Sequence, residues 1–386
     1  MFLNKTLRSN PLLIKTSFAL HQEGKILPDT YVVDVDTFKE NAGRMLEEAK
    51  KQNIELYFML KQLGRNPYLA KVLIDMGYEG AVVVDFREAL VMKKHSIPIS
   101  NIGHLVQTPK TLLKEFIEYG CKYFTVFSFE KAKEINDICK KLNSKQKLLL
   151  KVVDVNDYLY SGQESGIKLK DLEQFINKTK NLKHIEIAGV TSFPCFLYDY
   201  DKQKINETNN MNTLLKAKKI LKRNGIYIEN LNAPSTTCVH ILKQLRNYGV
   251  TSGEPGHGLT GSTPLHAVIE GEEIPCVTYV SEISHNFDGK GYCYGGGHYR
   301  RSHVEEALIG TSINNAKTDA VIPPATESID YYFGLRNTHK VSESVIMAFR
   351  FQIFVTRSNI AIIEGIQNGN PEVVSLYTSL GDEINE

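Results

Sequence analysis

Lys61 ends an apolar run, Ile54-Glu55-Leu56-Tyr57-Phe58-Met59-Leu60, and is followed by Gln62-Leu63-Gly64-Arg65-Asn66-Pro67. The run reads as a buried strand and Pro67 as the start of a helix, so the lysine stands at a strand's carboxyl end. In a dry pocket an ammonium loses hydration, its pKa falls, and the amine becomes a nucleophile toward aldehydes. The plain alternative is a snorkelling surface lysine.

Three later segments bear on that choice. Gly253-Glu254-Pro255-Gly256-His257-Gly258 follows another apolar run. Its glycines let backbone N–H groups approach an anion, and Glu254 supplies a carboxylate. Against a pyridine nitrogen, that carboxylate would keep the ring protonated and electron-withdrawing. In Leu231-Asn232-Ala233-Pro234-Ser235-Thr236-Thr237, Ser235 and Thr236 offer hydroxyl donors where a helix is expected to begin. A helix amino end attracts phosphate, although an ordinary Ser/Thr cap is the simpler role. Gly291-Tyr292-Cys293-Tyr294-Gly295-Gly296-Gly297-His298-Tyr299-Arg300-Arg301 suggests a backbone passing close to something, or a bulged hairpin with tyrosines on its face.

Alternating elements must position these groups. Strand-like runs occur at 54–60, 80–85, 101–106, 123–128, 148–154, 185–193, 226–233 and 250–254, with amphipathic stretches between most of them. About eight β-then-α units predict a (β/α)8 TIM-type barrel. An open doubly wound sheet is the alternative, but no dinucleotide glycine fingerprint follows the first strand. After about residue 265 helical periodicity fades and strand-like pieces appear at 275–283, 291–294, 344–356 and 361–365, which predicts a second, β domain. The early strand 31–36 lies outside the eight and could join it, and 314–328 reads as a loop. The expected division is a barrel over 37–265 and a β domain over 266–386 with 1–36.

Composition narrows the classes. A chain of 386 residues suggests two domains, and 42% hydrophobic with 23% charged residues is ordinary for a soluble globular protein. A net charge of +2 and a pI near 8.0 give no case for nucleic acid or a membrane surface. Six cysteines without a CxxC pair read as buried thiols in a reducing compartment. No clean signal peptide and no run near the ~20 apolar residues of a membrane span are present, so a cytoplasmic protein is expected.

In order, these motifs are a lysine after the first barrel strand, Asn-Ala-Pro-Ser after the seventh, Glu-Pro-Gly after the eighth, and a Gly-rich Tyr/Arg stretch in a β domain. The chain therefore resembles the alanine racemase-like, fold type III enzymes dependent on pyridoxal 5'-phosphate. Phe58 to Pro67 and Tyr292 to Gly297 look closest to the YhfX branch, and the resemblance covers nearly the whole chain. It implies that Lys61 holds the cofactor through its amine. It also implies that Arg65, Ser235, Thr236, Gly256 and His257 lie at its phosphate, and that His104 is a ring neighbour; a satisfied structural histidine is the alternative for His104. Glu254 departs from racemases, which place arginine at the pyridine nitrogen, and matches ornithine decarboxylase-like members. Tyr294, with Tyr292 in reserve, matches the racemase tyrosine that reaches into the partner subunit as the second base. Ser192 replaces a ring-stacking histidine, leaving Phe193 or a neighbour to cover the ring. Gln163 stands where racemases place an arginine near the cofactor hydroxyl. Cys238-Val239-His240 runs opposite to the His-x-Cys zinc pair of dehydratase-like relatives, so no metal is expected.

The resemblance thus implies an enzyme acting at the α-carbon of a small amino acid, a racemase first, with a homodimer sharing its active sites. A decarboxylase or lyase of the same fold is the alternative, favoured by Glu254 but lacking a convincing cysteine–aspartate pair after residue 340. A non-catalytic cofactor carrier is the remaining class. Such carriers lack a β domain, whereas about 120 further residues here argue for a substrate site.

Overall fold

The computed structural model describes residues 2–384. Eight parallel strands close a barrel. In chain order they are Glu55–Phe58, Gly80–Val82, Ile99–Ile102, Tyr123–Val126, Gln146–Val153, Ile185–Thr191, Asn230–Asn232 and Ser252–Gly253. Each pairs with the next, and the eighth returns to the first through Ser252 opposite Glu55 and Gly253 opposite Leu56. Crossover helices follow, among them Pro67–Met76, Phe86–Lys94, Lys110–Tyr119, Phe129–Lys141 and Asn209–Arg223. Asp85 and Ser128 cap two of them by accepting the Glu88 and Lys131 N–H groups, which fixes where strand gives way to helix. Tyr57, Met59, Val82, Tyr123, Leu149 and Ala188 pack together as inward-facing residues of the barrel.

The second sheet has nine strands, in the order Lys290–Tyr294, Tyr332–Leu335, Lys317–Ile322, Glu306–Gly310, Ser344–Met347, Val277–Phe287, Thr30–Asp34, Asn359–Glu364 and Glu372–Thr378. All pairs are antiparallel except Thr30–Asp34 with Asn359–Glu364. The early strand thus joins this sheet, ending at Asp34 because Val35–Gln52 is already helical. Two helices the sequence pattern did not suggest, Phe2–Ser9 and Pro11–Gln22, cover one face. Leu13, Ile14 and Phe18 are fully buried there with Val280, Ile346 and Ala361. Each such side chain contributes about 1.5–3 kcal/mol relative to exposure.

Two expectations are corrected. The stretch 314–328 holds the strand Lys317–Ile322 rather than only a loop. Its alternation was hidden because an acid, Asp319, sits on the inward face beside Val321. Asp319 accepts hydrogen bonds from Asn337 N and Nδ2 (both 2.9 Å) and from His339 Nε2 (2.7 Å). The run 344–356 is strand only over Ser344–Met347, and Ile353–Val355 forms a 3-10 turn.

By compactness the chain divides into Met1–Arg44 with Lys61–Asn66 and His257–Glu386, and Met45–Leu60 with Pro67–Gly256. All six cysteines are buried thiols. Among the described residues no helix is long and apolar enough to cross a membrane.

Candidate active site

The carboxyl ends of barrel strands six, seven and eight are tied by side chains. Thr191 donates to Asn232 Oδ1 (2.7 Å), Asn232 Nδ2 to Ser252 Oγ (3.1 Å), and Ser252 to Asn230 Oδ1 (2.7 Å). Beyond this ladder the Pro234–Ser235 peptide is cis and Thr236 has φ 59°. The Ser235 and Thr236 hydroxyls both donate to the Phe196 carbonyl, at 2.8 and 3.0 Å. They do not open a helix: Val239–Leu245 starts later, with Cys238 at its cap and no side-chain capping bond. The tight turn, not a helix end, presents these hydroxyls. Thr237 Oγ1 accepts the Glu254 N–H at 3.2 Å, so the seventh-strand turn fixes the backbone from which Glu254 extends. Glu254 is 8% exposed. A Cβ on Gly253 would lie 3.1–3.4 Å from Thr237, Leu56 and Leu242, so the close approach here is partly a packing requirement of the last strand.

Strands three to six deliver a second group. His104 is buried and meets Phe193 edge-on, centroids 5.6 Å apart. Tyr160 lies 5.9 Å from the same ring. Lys151, in the fifth strand, is 1% exposed. Its Nζ donates to Ser165 Oγ at 2.8 Å and sits over the Phe127 and Phe193 rings, at 4.9 and 6.0 Å. Burial lowers its pKa to about 8. The sequence reading passed over Lys151 as part of a strand. The signal was there: a charge inside Leu148-Leu149-Leu150-Lys151-Val152-Val153 demands a partner or a purpose. Gln163 lies close in sequence, and its carbonyl accepts from Ser165 Oγ (3.0 Å). Ser192 is taken up by a bond to the Val152 carbonyl (3.0 Å).

In the other compact unit, Lys61 opens a 3-10 turn, Lys61–Leu63, and is half-buried. Gly64 has φ +63°, and a Cβ there would meet Ile360 Cδ1 at 2.4 Å and the Ser379 carbonyl at 3.0 Å, so glycine suits this turn. Arg65 is buried, at φ 59°, with its guanidinium 5.5 Å from the Phe354 centroid. His257 is also buried, with Nδ1 2.9 Å from Ser262 Oγ and Nε2 3.1 Å from Gln352 Nε2. Burial first, and then the charges of Arg350, Lys61 and His266, hold its pKa well below the imidazole range, so the ring is neutral. Arg350 and Lys61, with His266, thus act on one neutral histidine, and Arg350 Nε is buried with no hydrogen-bond partner among the described residues. That donor set suits an anionic group such as phosphate.

Tyr292 and Tyr294 lie on one face of Lys290–Tyr294, with Cys293 buried on the other. Tyr292 stacks on His285 at 5.0 Å; Tyr294 is 37% exposed. The Tyr294 carbonyl accepts from Ser281 Oγ (2.7 Å) and the Gly297 carbonyl from Tyr31 OH (2.7 Å). The glycines are packing glycines: a Cβ on Gly295 would lie 2.2 Å from the Asp330 carbonyl, and one on Gly297 2.3 Å from the Tyr279 ring. Cys238 is buried whereas His240 is exposed, near Gln244 (3.2 Å).

Residues 33–264 match the family model for the alanine racemase N-terminal domain, and residues 278–373 that for the YhfX-like C-terminal domain. The protein YhfX of Escherichia coli strain K12 is 44% identical over 385 residues, covering 100% of both chains. The chain belongs to the alanine racemase-like family, in its YhfX branch. Members of this family depend on pyridoxal phosphate, and the cofactor is therefore pyridoxal 5'-phosphate. Among solved structures, alanine racemase of Clostridium difficile 630 in complex with cycloserine is similar at TM-score 0.64 and 17% identity, over 92% of this chain and 99% of that one. D-threonine aldolase from Filomicrobium marinum is similar at TM-score 0.67 and 13% identity, over 91% and 95%. Likeness at that identity shows the fold, which hosts more than one reaction.

Proposed function

We propose that the protein is a pyridoxal phosphate-dependent enzyme acting at the α-carbon of an amino acid, as a racemase, in a dimer whose active sites are shared. Bound, the cofactor supplies an aldehyde for amines and a ring that withdraws electrons from the α-carbon. Lys61 holds it through its amine and moves the α-proton on one face. Ser235, Thr236, Gly256, His257 and Arg65 hold the phosphate, and the neutral His257 can accept or donate without adding charge. Buried Glu254 keeps a proton at the pyridine nitrogen. His104 and Phe193 flank the ring. Tyr294 of a second copy moves the proton on the other face. General acid–base placement of this kind contributes about 10²–10⁴-fold.

The observation that carries the racemase reading is Tyr294. It is the more exposed tyrosine of its strand, and its backbone is clamped from behind by Ser281. Such a group is free to be used by another chain while its position stays fixed. Glu254 favours a second reading, a decarboxylase or lyase of the same fold. Incubation with single amino acids, scored for chiral inversion and for carbon dioxide release, separates the two. Inversion without gas supports the racemase; gas without inversion overturns it.

A further inference from the structure

We infer that Lys151 is the receptor for an oxyanion at the barrel mouth, namely the α-carboxylate of the amino-acid substrate. This rests on the amino-acid reading above and extends it to a residue that neither the motifs nor the family match assigns. Lys151 follows Leu149 by two residues on one strand, and Leu149 packs inside the barrel, so both side chains face inward. Its register partner, Thr191, is the last residue of the sixth strand, which puts the ammonium in the layer of strand ends. Barrels of this kind keep their chemistry at those ends.

The surroundings of the ammonium suit an anion. Ser165 fixes the ammonium with one hydrogen bond, and Phe127 and Phe193 wall it. Beyond Phe193 lie Tyr160 and His104, and among the described residues no carboxylate shifts the group, whose pKa is moved by burial alone. A buried cation without a counter-charge is costly, and an incoming carboxylate removes that cost. The aromatic walls exclude water, which strengthens the attraction. An ammonium has three donors, and the Ser165 bond leaves two for the carboxylate oxygens.

Propionate is the probe: it carries the carboxylate but no amine, so it cannot react with the cofactor's aldehyde. Binding is measured by calorimetry on the full-length protein saturated with pyridoxal phosphate. Affinity should fall about 30-fold or more in Lys151→Met and be kept in Lys151→Arg. In the wild type it should weaken as pH rises through about 8, since deprotonation removes the charge; Lys151→Met should lose that dependence. Propionate should also slow acetylation of Lys151 by acetic anhydride in the wild type, read by peptide mass, which tests the proposal even where a variant folds poorly. Equal propionate affinity in wild type and Lys151→Met, or no protection of Lys151, overturns it. The cofactor reading is judged separately, by an absorbance band that depends on Lys61 and survives Lys151→Met.

Discussion

The barrel mouth and the tyrosine-bearing hairpin solve opposite problems. At the barrel mouth the groups that would tune a cofactor are taken out of water: Glu254 and Lys151 are buried. Charges there are less screened than in water, and burial pulls the pKa of the Lys151 ammonium down to about 8. On the hairpin the frame is buried and Tyr294 is not. Tyr31, Tyr279 and Cys293 are inside, whereas Tyr294 faces out. The lesson is that one chain buries its charged groups at the barrel mouth and leaves a tyrosine exposed on the hairpin; on the proposed function, that tyrosine completes an acid–base pair only in a second copy.

The sharpest break in that comparison is Lys61→Ala. It should abolish the cofactor's absorbance band and reduce α-proton exchange in heavy water by about 10²–10⁴-fold. A band that persists would mean that the barrel mouth holds its cofactor without this amine. Glu254→Arg should come next. It keeps the band but withdraws the proton from the ring nitrogen, so exchange should slow by about 10²-fold. Unchanged exchange would place Glu254 outside the electronics and return it to packing.

Tyr294→Phe separates the two regions. Exchange of one enantiomer's α-proton, which needs only the barrel side, should continue, while chiral inversion falls by about 10²-fold. Loss of both would mean that the hairpin supports the pocket rather than completing it. Mixing Tyr294→Phe with Lys61→Ala chains should restore some inversion if the sites are shared, because a mixed dimer then holds one intact pair.

Much of the architecture was legible because it is periodic. The eight apolar runs anchor the eight barrel strands, and their glycine and proline borders mark the turns. Lys61, Glu254 and Ser235 could be picked out because Gly- or Pro-containing turns follow or enclose them at the ends of apolar runs, but the roles proposed for them came from the order of motifs, not from their types alone. What stayed hidden depends on distant partners. Asp319 reads as a loop residue until Asn337 and His339 are seen bonded to it. The helices Phe2–Ser9 and Pro11–Gln22 owe their burial to strands some 250 or more residues away, such as Val277–Phe287. The glycines of 295–297 read as a feature of a site, yet the atoms they make room for are Asp29, Tyr279 and Asp330. Lys151 was visible but uninterpreted, since a strand pattern alone does not tell which face meets the barrel axis.

The smallest expected effect tests whether the hairpin's frame stands apart from Tyr294. Asp29 sits at φ 63° against Gly296, where a Cβ would lie 2.0 Å from its Oδ2. Tyr279 OH donates to it at 2.9 Å and Ser358 also bonds it. Burial pushes its pKa from 3.8 up to about 6, against the pull of those two hydroxyls and of Arg357. The folded chain therefore holds this proton more tightly than the unfolded chain does. The stability it contributes falls as pH rises from 3.8 through about 6, and above that the full penalty of a buried carboxylate remains. Asp29→Asn keeps an acceptor for the hydroxyls and never ionises. At about pH 7.5 it should melt higher than the wild type by ~2–4 °C, and near pH 4 the two should melt alike. Chiral inversion by the variant should be unchanged at neutral pH, because Asp29 touches the hairpin's backbone side and not the Tyr294 ring. If inversion instead drops with stability intact, the frame sets the tyrosine's aim and the hairpin is a single working part.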